Sequence, residues 1–139
     1  MTNEHPARVA SQRSMQAVLA KTKEAWLDLF ADDAIIEDPI GISPLDPEGK
    51  GHRGKAAIAA FWDAHIAVPD IRFDIRGSYA CGNEVANVGT ITTTLPNGVK
   101  ALAEGVFIYR VNDQGKLVSL RAFWEFEKML ATMTAAAEG

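Results

Sequence analysis

The chain has a single cysteine, Cys81, so no internal disulfide can form and no cysteine-built metal cage is available. Positive charge is not gathered anywhere along it. No run of Lys or Arg occurs and the formal net charge is −4, which argues against nucleic acid or an anionic membrane as partner, because phosphate binding needs clustered cations. No apolar run approaches membrane length, so no membrane insertion is expected. Residues Met1 to Arg8 lack the apolar core of a signal peptide, and the cytoplasm is the expected location. What remains is the composition of a soluble globular chain: 139 residues, 47% hydrophobic and 23% charged. That length suits one domain over 1–139, with no internal repeat. The Ala-rich tail 131–139 reads as frayed or as a short terminal helix.

Helical patterns come first and strand patterns later. Ala10, Ser14, Ala17 and Val18 share one face of a first helix, and a joint at Lys21 to Lys23 precedes a second helix carrying Trp26, Leu27, Leu29 and Phe30. Asp32 and Asp33 read as a turn before a short strand, Ala34 to Glu37. Gly41 to Gly54 holds Pro44, Pro47, Gly49 and Gly51 and reads as a rim or lid loop. A third helix spans Lys55 to Ile66, with Phe61, Ala64 and His65 on one face. From Ile71 the period changes to two: Ile71, Phe73 and Ile75 alternate with Arg72, Asp74 and Arg76. Glu84 to Leu95, Val99 to Val111 and Lys116 to Phe126 follow as strands, joined by Pro96-Asn97-Gly98 and by Asn112 to Gly115. This is an α+β plan, helices in front and an antiparallel meander behind.

Asp38 is the residue in this pattern with chemistry to offer. Ile35 and Ile36 give it apolar neighbours, and a carboxylate in such surroundings resists ionising, which moves its pKa toward the range useful for proton transfer. The following Pro39 holds it extended. Asp-Pro also opens ordinary turns, and that reading stands beside the chemical one.

The run Ala31-Asp32-Asp33-Ala34 through Glu37-Asp38-Pro39-Ile40-Gly41, the helix segment Ala59-Ala60-Phe61-Trp62 and the closing Arg121-Ala122-Phe123-Trp124 resemble the ketosteroid isomerase family, within the group sharing the nuclear transport factor 2 fold. The resemblance covers roughly Arg13 to Trp124. It implies a conical half-barrel: a strongly curved antiparallel sheet wrapped on N-terminal helices around one deep apolar pocket. It also implies a role for Asp38 as a base that takes a proton from the carbon beside a carbonyl and returns it two carbons further along. No cofactor and no metal enter that chemistry.

Family members hold the developing oxyanion with a tyrosine and a protonated acid. By alignment to the resemblance, Ser14 occupies the tyrosine position, Phe107 the acid position, and Trp62 that of a supporting tyrosine. Trp124 falls on the family's pocket tryptophan. Tyr109 shares the strand face of Phe107, so its hydroxyl is a candidate replacement donor, as is the Trp124 indole N–H. Thr90, Thr92 and Thr94 share a face that either lines the pocket or lies exposed. Phe30, Phe61, Trp62, Phe107 and Trp124 are expected to form the apolar wall. Glu104 should face outward, His65 should be a satisfied core residue, and His52 should be solvated. Arg110 and Arg121 are expected to pair with acids across strands.

The implied ligand is a steroid-like hydrophobic molecule. Retention of Asp38 favours an isomerase; loss of the tyrosine and acid favours a binding protein without efficient turnover. Val106, Ile108 and Val118 would leave the outer sheet face apolar, so a homodimer is expected.

Overall fold

A computed structural model describes residues 5–138. Pro6 opens α1 (Pro6–Ala20), where its missing N–H costs nothing, and the His5 ring caps the helix by accepting from the Ala7 N–H at 3.1 Å. The inward face of α1 carries Ala7, Ala10, Ser11, Ser14, Ala17 and Val18. The helix stops at Lys21, which adopts a left-handed conformation with φ of 58°. The Lys21 ammonium then donates to the carbonyls of Ile66 and Pro69, tying the end of α1 to the loop after α3 (Gly54–His65).

The second helix is shorter than its pattern implied. α2 (Lys23–Leu27) carries Trp26 into the core and ends, and Phe30 begins β1 (Phe30–Glu37). The sheet decides the boundary: the Leu117 N–H donates to the Leu29 carbonyl at 2.8 Å, and Phe30 pairs with Leu117 in parallel. Asp32 and Asp33 lie inside β1 rather than in a turn. They sit exposed at an irregularity where the register shifts between Phe30 and Ile35.

The remaining elements are β2 (His52–Arg53), α3, β3 (Asp70–Cys81), β4 (Glu84–Thr94), β5 (Lys100–Val111), β6 (Leu117–Phe123) and α4 (Phe126–Glu138). The tail therefore continues as helix to Glu138, and Gly139 lies outside the described residues. The strands form one six-stranded, unclosed sheet in the order β2-β1-β6-β5-β4-β3. It is antiparallel except where β1 runs parallel to β6. Within the 41–54 loop, the Asp46 carboxylate accepts the Gly51 N–H at 2.7 Å, which closes the loop on itself beside the cavity rim.

Two glycines permit the curvature. Gly89 and Gly105 face each other across β4 and β5. A Cβ on Gly89 would lie 2.1 Å from the Asp74 carbonyl oxygen, and one on Gly105 would lie 1.9 Å from that of Phe123. Strands bend together at this line because no side chain intervenes. Gly105→Ala is expected to destabilise the fold by about 1–3 kcal/mol, the usual cost of forced overpacking. Urea denaturation checks it: an unchanged midpoint would show that the bend tolerates a methyl group.

Candidate active site

The concave face of the sheet, α1, the end of α3 and α4 enclose a cavity of about 570 Å³. β5 lines it with alternate residues, Ala101, Ala103, Phe107 and Tyr109, as the strand period requires. α4 adds Phe126, Met129, Leu130 and Met133, an i, i+3, i+4, i+7 stripe on one helix face. The lining is mostly apolar. Polar side chains on it are Asp38, Ser14, Tyr109, His65 and Thr93, with the indole N–H groups of Trp26 and Trp124.

Asp38 follows β1 directly, and its peptide bond to Pro39 is cis. The Trp124 Nε1–H donates to Asp38 Oδ1 at 2.6 Å. Burial disfavours the charged form and raises the Asp38 pKa above its ordinary 3.8, while the Trp124 hydrogen bond and the nearby His52 pull it back in part. The indole therefore aims the carboxylate and keeps it ionisable. Trp124→Phe removes a donor that favours the anion, so the Asp38 pKa should rise further. An NMR titration of the Asp38 carboxyl in both proteins checks this; an unchanged or lower midpoint in the variant would contradict it.

A second hydrogen-bond chain lies at the same cavity. The Trp26 Nε1–H donates to Ser14 Oγ at 3.1 Å, and Ser14 in turn hydrogen-bonds the Tyr109 hydroxyl. Tyr109 is 5% exposed. Burial first, and the negative charge of Asp38 second, push the Tyr109 pKa well above its ordinary 10.0, so the phenol keeps its proton. An undissociated hydroxyl on the wall of a mostly apolar cavity is a donor available to an acceptor. Among the described residues no cluster of His, Cys, Asp and Glu is placed to hold a metal ion. Nor, among those residues, is any helix long and apolar enough to cross a membrane.

Residues 11–120 match the model of the SnoaL-like domain. The chain belongs to the SnoaL-like family. Steroid Delta-isomerase of Nocardioides simplex is 29% identical over 125 residues, covering 90% of this chain and 94% of that protein. The crystal structure of Delta 5-3-ketosteroid isomerase from Mycobacterium sp. aligns with a TM-score of 0.86 at 40% identity, covering 89% of this chain and 96% of that one. A Mycobacterium tuberculosis protein crystallised in complex with estradiol-17beta-hemisuccinate aligns with a TM-score of 0.85 at 37% identity, covering 89% and 97%. The SnoaL-like chain thus has the nuclear transport factor 2-like fold and is steroid isomerase-like in sequence.

Against that frame of relatives, the residues singled out from sequence divide cleanly. Asp38, Ser14, Phe61, Phe107, Tyr109 and Trp124 all line this cavity. Phe30 and Trp62 do not: they are 1% and 3% exposed and pack around Trp26, with ring centroids 4.7 and 5.1 Å from it. They support the wall from behind. The Trp124 N–H is committed to Asp38, which leaves Tyr109 as the donor with a free direction.

Strand parity settles several others. Thr93 faces the cavity, whereas Thr90 lies on the outer face, where it accepts from Arg76 at 3.0 Å. Glu104 faces outward and pairs with Arg76, and Arg121 pairs with Glu37, both at 3.2 Å, while Arg110 is exposed opposite Glu84. Cys81 ends β3 and is exposed. His52 is half-buried rather than solvated: its Nε2 is buried without a hydrogen-bond partner among the described residues, and its ring lies 4.9 Å from Phe61. His65 reaches the cavity wall rather than the core interior.

The α4 stripe and the buried Ser11–Asn87 hydrogen bond of 3.3 Å went unanticipated. The first carried a legible signal in its helical spacing. The second had none, since Asn87 alternates among ordinary strand residues.

Proposed function

We propose that the protein is a cofactor-free isomerase that moves a carbon–carbon double bond into conjugation with the 3-keto group of a steroid-like substrate. One observation carries the reading: a desolvated carboxylate and a protonated phenol stand on the same apolar cavity, close enough for the charge of Asp38 to raise the Tyr109 pKa. Asp38, as carboxylate, takes a proton from the carbon between the alkene and the carbonyl. The electron pair moves onto the carbonyl oxygen, where the Tyr109 O–H donates to the enolate. Ser14 accepts from Trp26 through its oxygen, so its own proton is free to hold the Tyr109 oxygen and leave the phenolic proton for the ligand. Asp38 then returns the proton two carbons further along. Nothing is consumed and no cofactor is called for.

The apolar lining suits a flat polycycle, which Phe61, Phe107 and Trp124 meet with ring faces and edges. The named relatives support this choice of substrate: two are steroid isomerases, and a third was crystallised with a steroid ester. A second reading, steroid capture without turnover, draws on Phe107, which puts a phenyl ring where family members place an acidic donor. Ultraviolet absorbance of the conjugated enone separates the two. Appearance of that absorbance from a Δ5-3-ketosteroid supports the isomerase; saturable binding with no absorbance change supports capture alone.

We further propose a homodimer through the outer sheet face. Val88, Val106 and Phe123 stand side by side there, with Phe123 46% exposed, and Ile108 lies in the next row. Val118 falls at the register shift between β5 and β6, so simple alternation does not place it in this patch. Light scattering at micromolar concentration should give twice the chain mass; a monomer would contradict the dimer.

A further inference from the structure

The proposed reaction uses the polar groups at one end of the cavity and leaves two others without work, His65 and Thr93. Both indole N–H groups are already engaged. Neither His65 nor Thr93 has a side-chain hydrogen bond among the described residues.

The position of His65 is defined by a ladder of rings. His52 stands opposite Ile36 in the β1–β2 pair, beside the approach to Asp38. Its ring lies 4.9 Å from that of Phe61, and the Phe61 ring lies 5.0 Å from that of His65. His65 is one helical turn beyond Phe61 at the last position of α3. Beyond it Ile66, Val68 and Pro69 border the cavity, and the carbonyls of Ile66 and Pro69 are held by the Lys21 ammonium. A ligand whose carbonyl meets Tyr109 and whose rings cross Phe61 therefore directs its far end toward His65.

We propose that His65 reads an oxygen at the end of the polycycle remote from the carbonyl held by Tyr109. The inference rests on the steroid reading of the cavity and adds a second point of recognition to it. Burial and the neighbouring His52 lower the His65 pKa, so the ring is neutral near pH 7. A neutral imidazole has one donor and one acceptor nitrogen, which matches a hydroxyl in both directions and a ketone in one. A cavity-facing polar group that meets no ligand oxygen loses that hydrogen bond and its desolvation is not repaid, which is the basis of discrimination.

Two steroids that differ in one atom test this: 17β-hydroxyandrost-4-en-3-one and androst-4-en-3-one. Both are already conjugated, so binding is measured apart from turnover, through quenching of the cavity tryptophans Trp26 and Trp124. Wild type is expected to bind the hydroxylated steroid roughly tenfold more tightly, the upper range for one neutral hydrogen bond. His65→Phe keeps a ring against Phe61 and should erase that preference; His65→Gln, with an amide donor, should restore part of it.

Retention of the preference in His65→Phe overturns the proposal, as does its loss in Thr93→Val with His65 intact. A wild type that binds both steroids equally also overturns it. A hydroxyl preference that depends on His65 in a protein without isomerase turnover supports the proposal while counting against the reaction. Binding of neither steroid overturns both.

Discussion

Asp38→Asn is expected to abolish most turnover and to make the protein more stable at neutral pH. The amide cannot accept the substrate proton, and loss of a positioned general base costs on the order of 10²–10⁴ in rate. The amide oxygen still accepts from Trp124, so the pocket geometry should persist and steroid affinity should change little. The stability gain follows from linkage. The folded state raises the Asp38 pKa, so it holds this proton more tightly than the unfolded chain does. The contribution is favourable below the unfolded value of 3.8 and is lost as pH rises through the folded value. Above 3.8 the folded wild type must therefore either keep a proton that the unfolded chain releases or carry a desolvated charge, and Asn avoids both. Thermal melts of both proteins at pH 7 should place the variant higher. A lower melting temperature with an intact fold would mean that Asp38 is stabilised by its surroundings rather than strained by them. For activity the sign is opposite: kcat/KM should rise with pH through the Asp38 pKa, because only the carboxylate is a base.

Tyr109→Phe is expected to lower kcat by on the order of 10²–10³, the usual cost of one oxyanion donor, with steroid binding nearly unchanged. The hydroxyl acts mainly as charge develops on the oxygen, so its removal falls on the transition state rather than the bound ground state. Phenylalanine keeps the ring against its strand neighbours Val85 and Leu120. Steady-state kinetics separate the outcomes. A fall in kcat with KM held assigns the donor role to Tyr109. A kcat that does not move removes Tyr109 from the reaction and makes Ser14 the next donor to examine, through Ser14→Ala.

The site was partly legible in the chain because its proposed base sits in a local pattern. Asp38 follows two isoleucines and precedes proline, and those neighbours alone predict desolvation and an extended backbone. Tyr109 and Phe107 could be placed together because strand parity survives folding. What failed depended on contacts distant in sequence. Leu29 and Phe30 continue a helical pattern, yet pairing with Leu117 draws them into the sheet. Trp62 and Phe30 lie on apolar stripes as Phe61 does, and only the packing of α2 against α1 and α3 decides which ring meets the cavity and which lies behind Trp26. Alternation grouped Thr90, Thr92 and Thr94 and left both faces open to them; register decides it, with Thr93 on the inner face and Thr90 outside. Nothing local to His52 foretold burial, since its loop reads as polar and glycine-rich until a two-residue strand pins it to β1.

One carboxylate is expected to carry a proton from one carbon to another within an apolar cavity. Isomerisation of a Δ5-3-ketosteroid deuterated at the carbon between alkene and carbonyl tests that directly, with product analysed by mass spectrometry and NMR. The expected result is conjugated product with part of the deuterium at the position two carbons further along, delivered by Asp38. Conjugated product formed at the same rate by Asp38→Asn, or product with no deuterium at the new position at any extent of reaction, would contradict it.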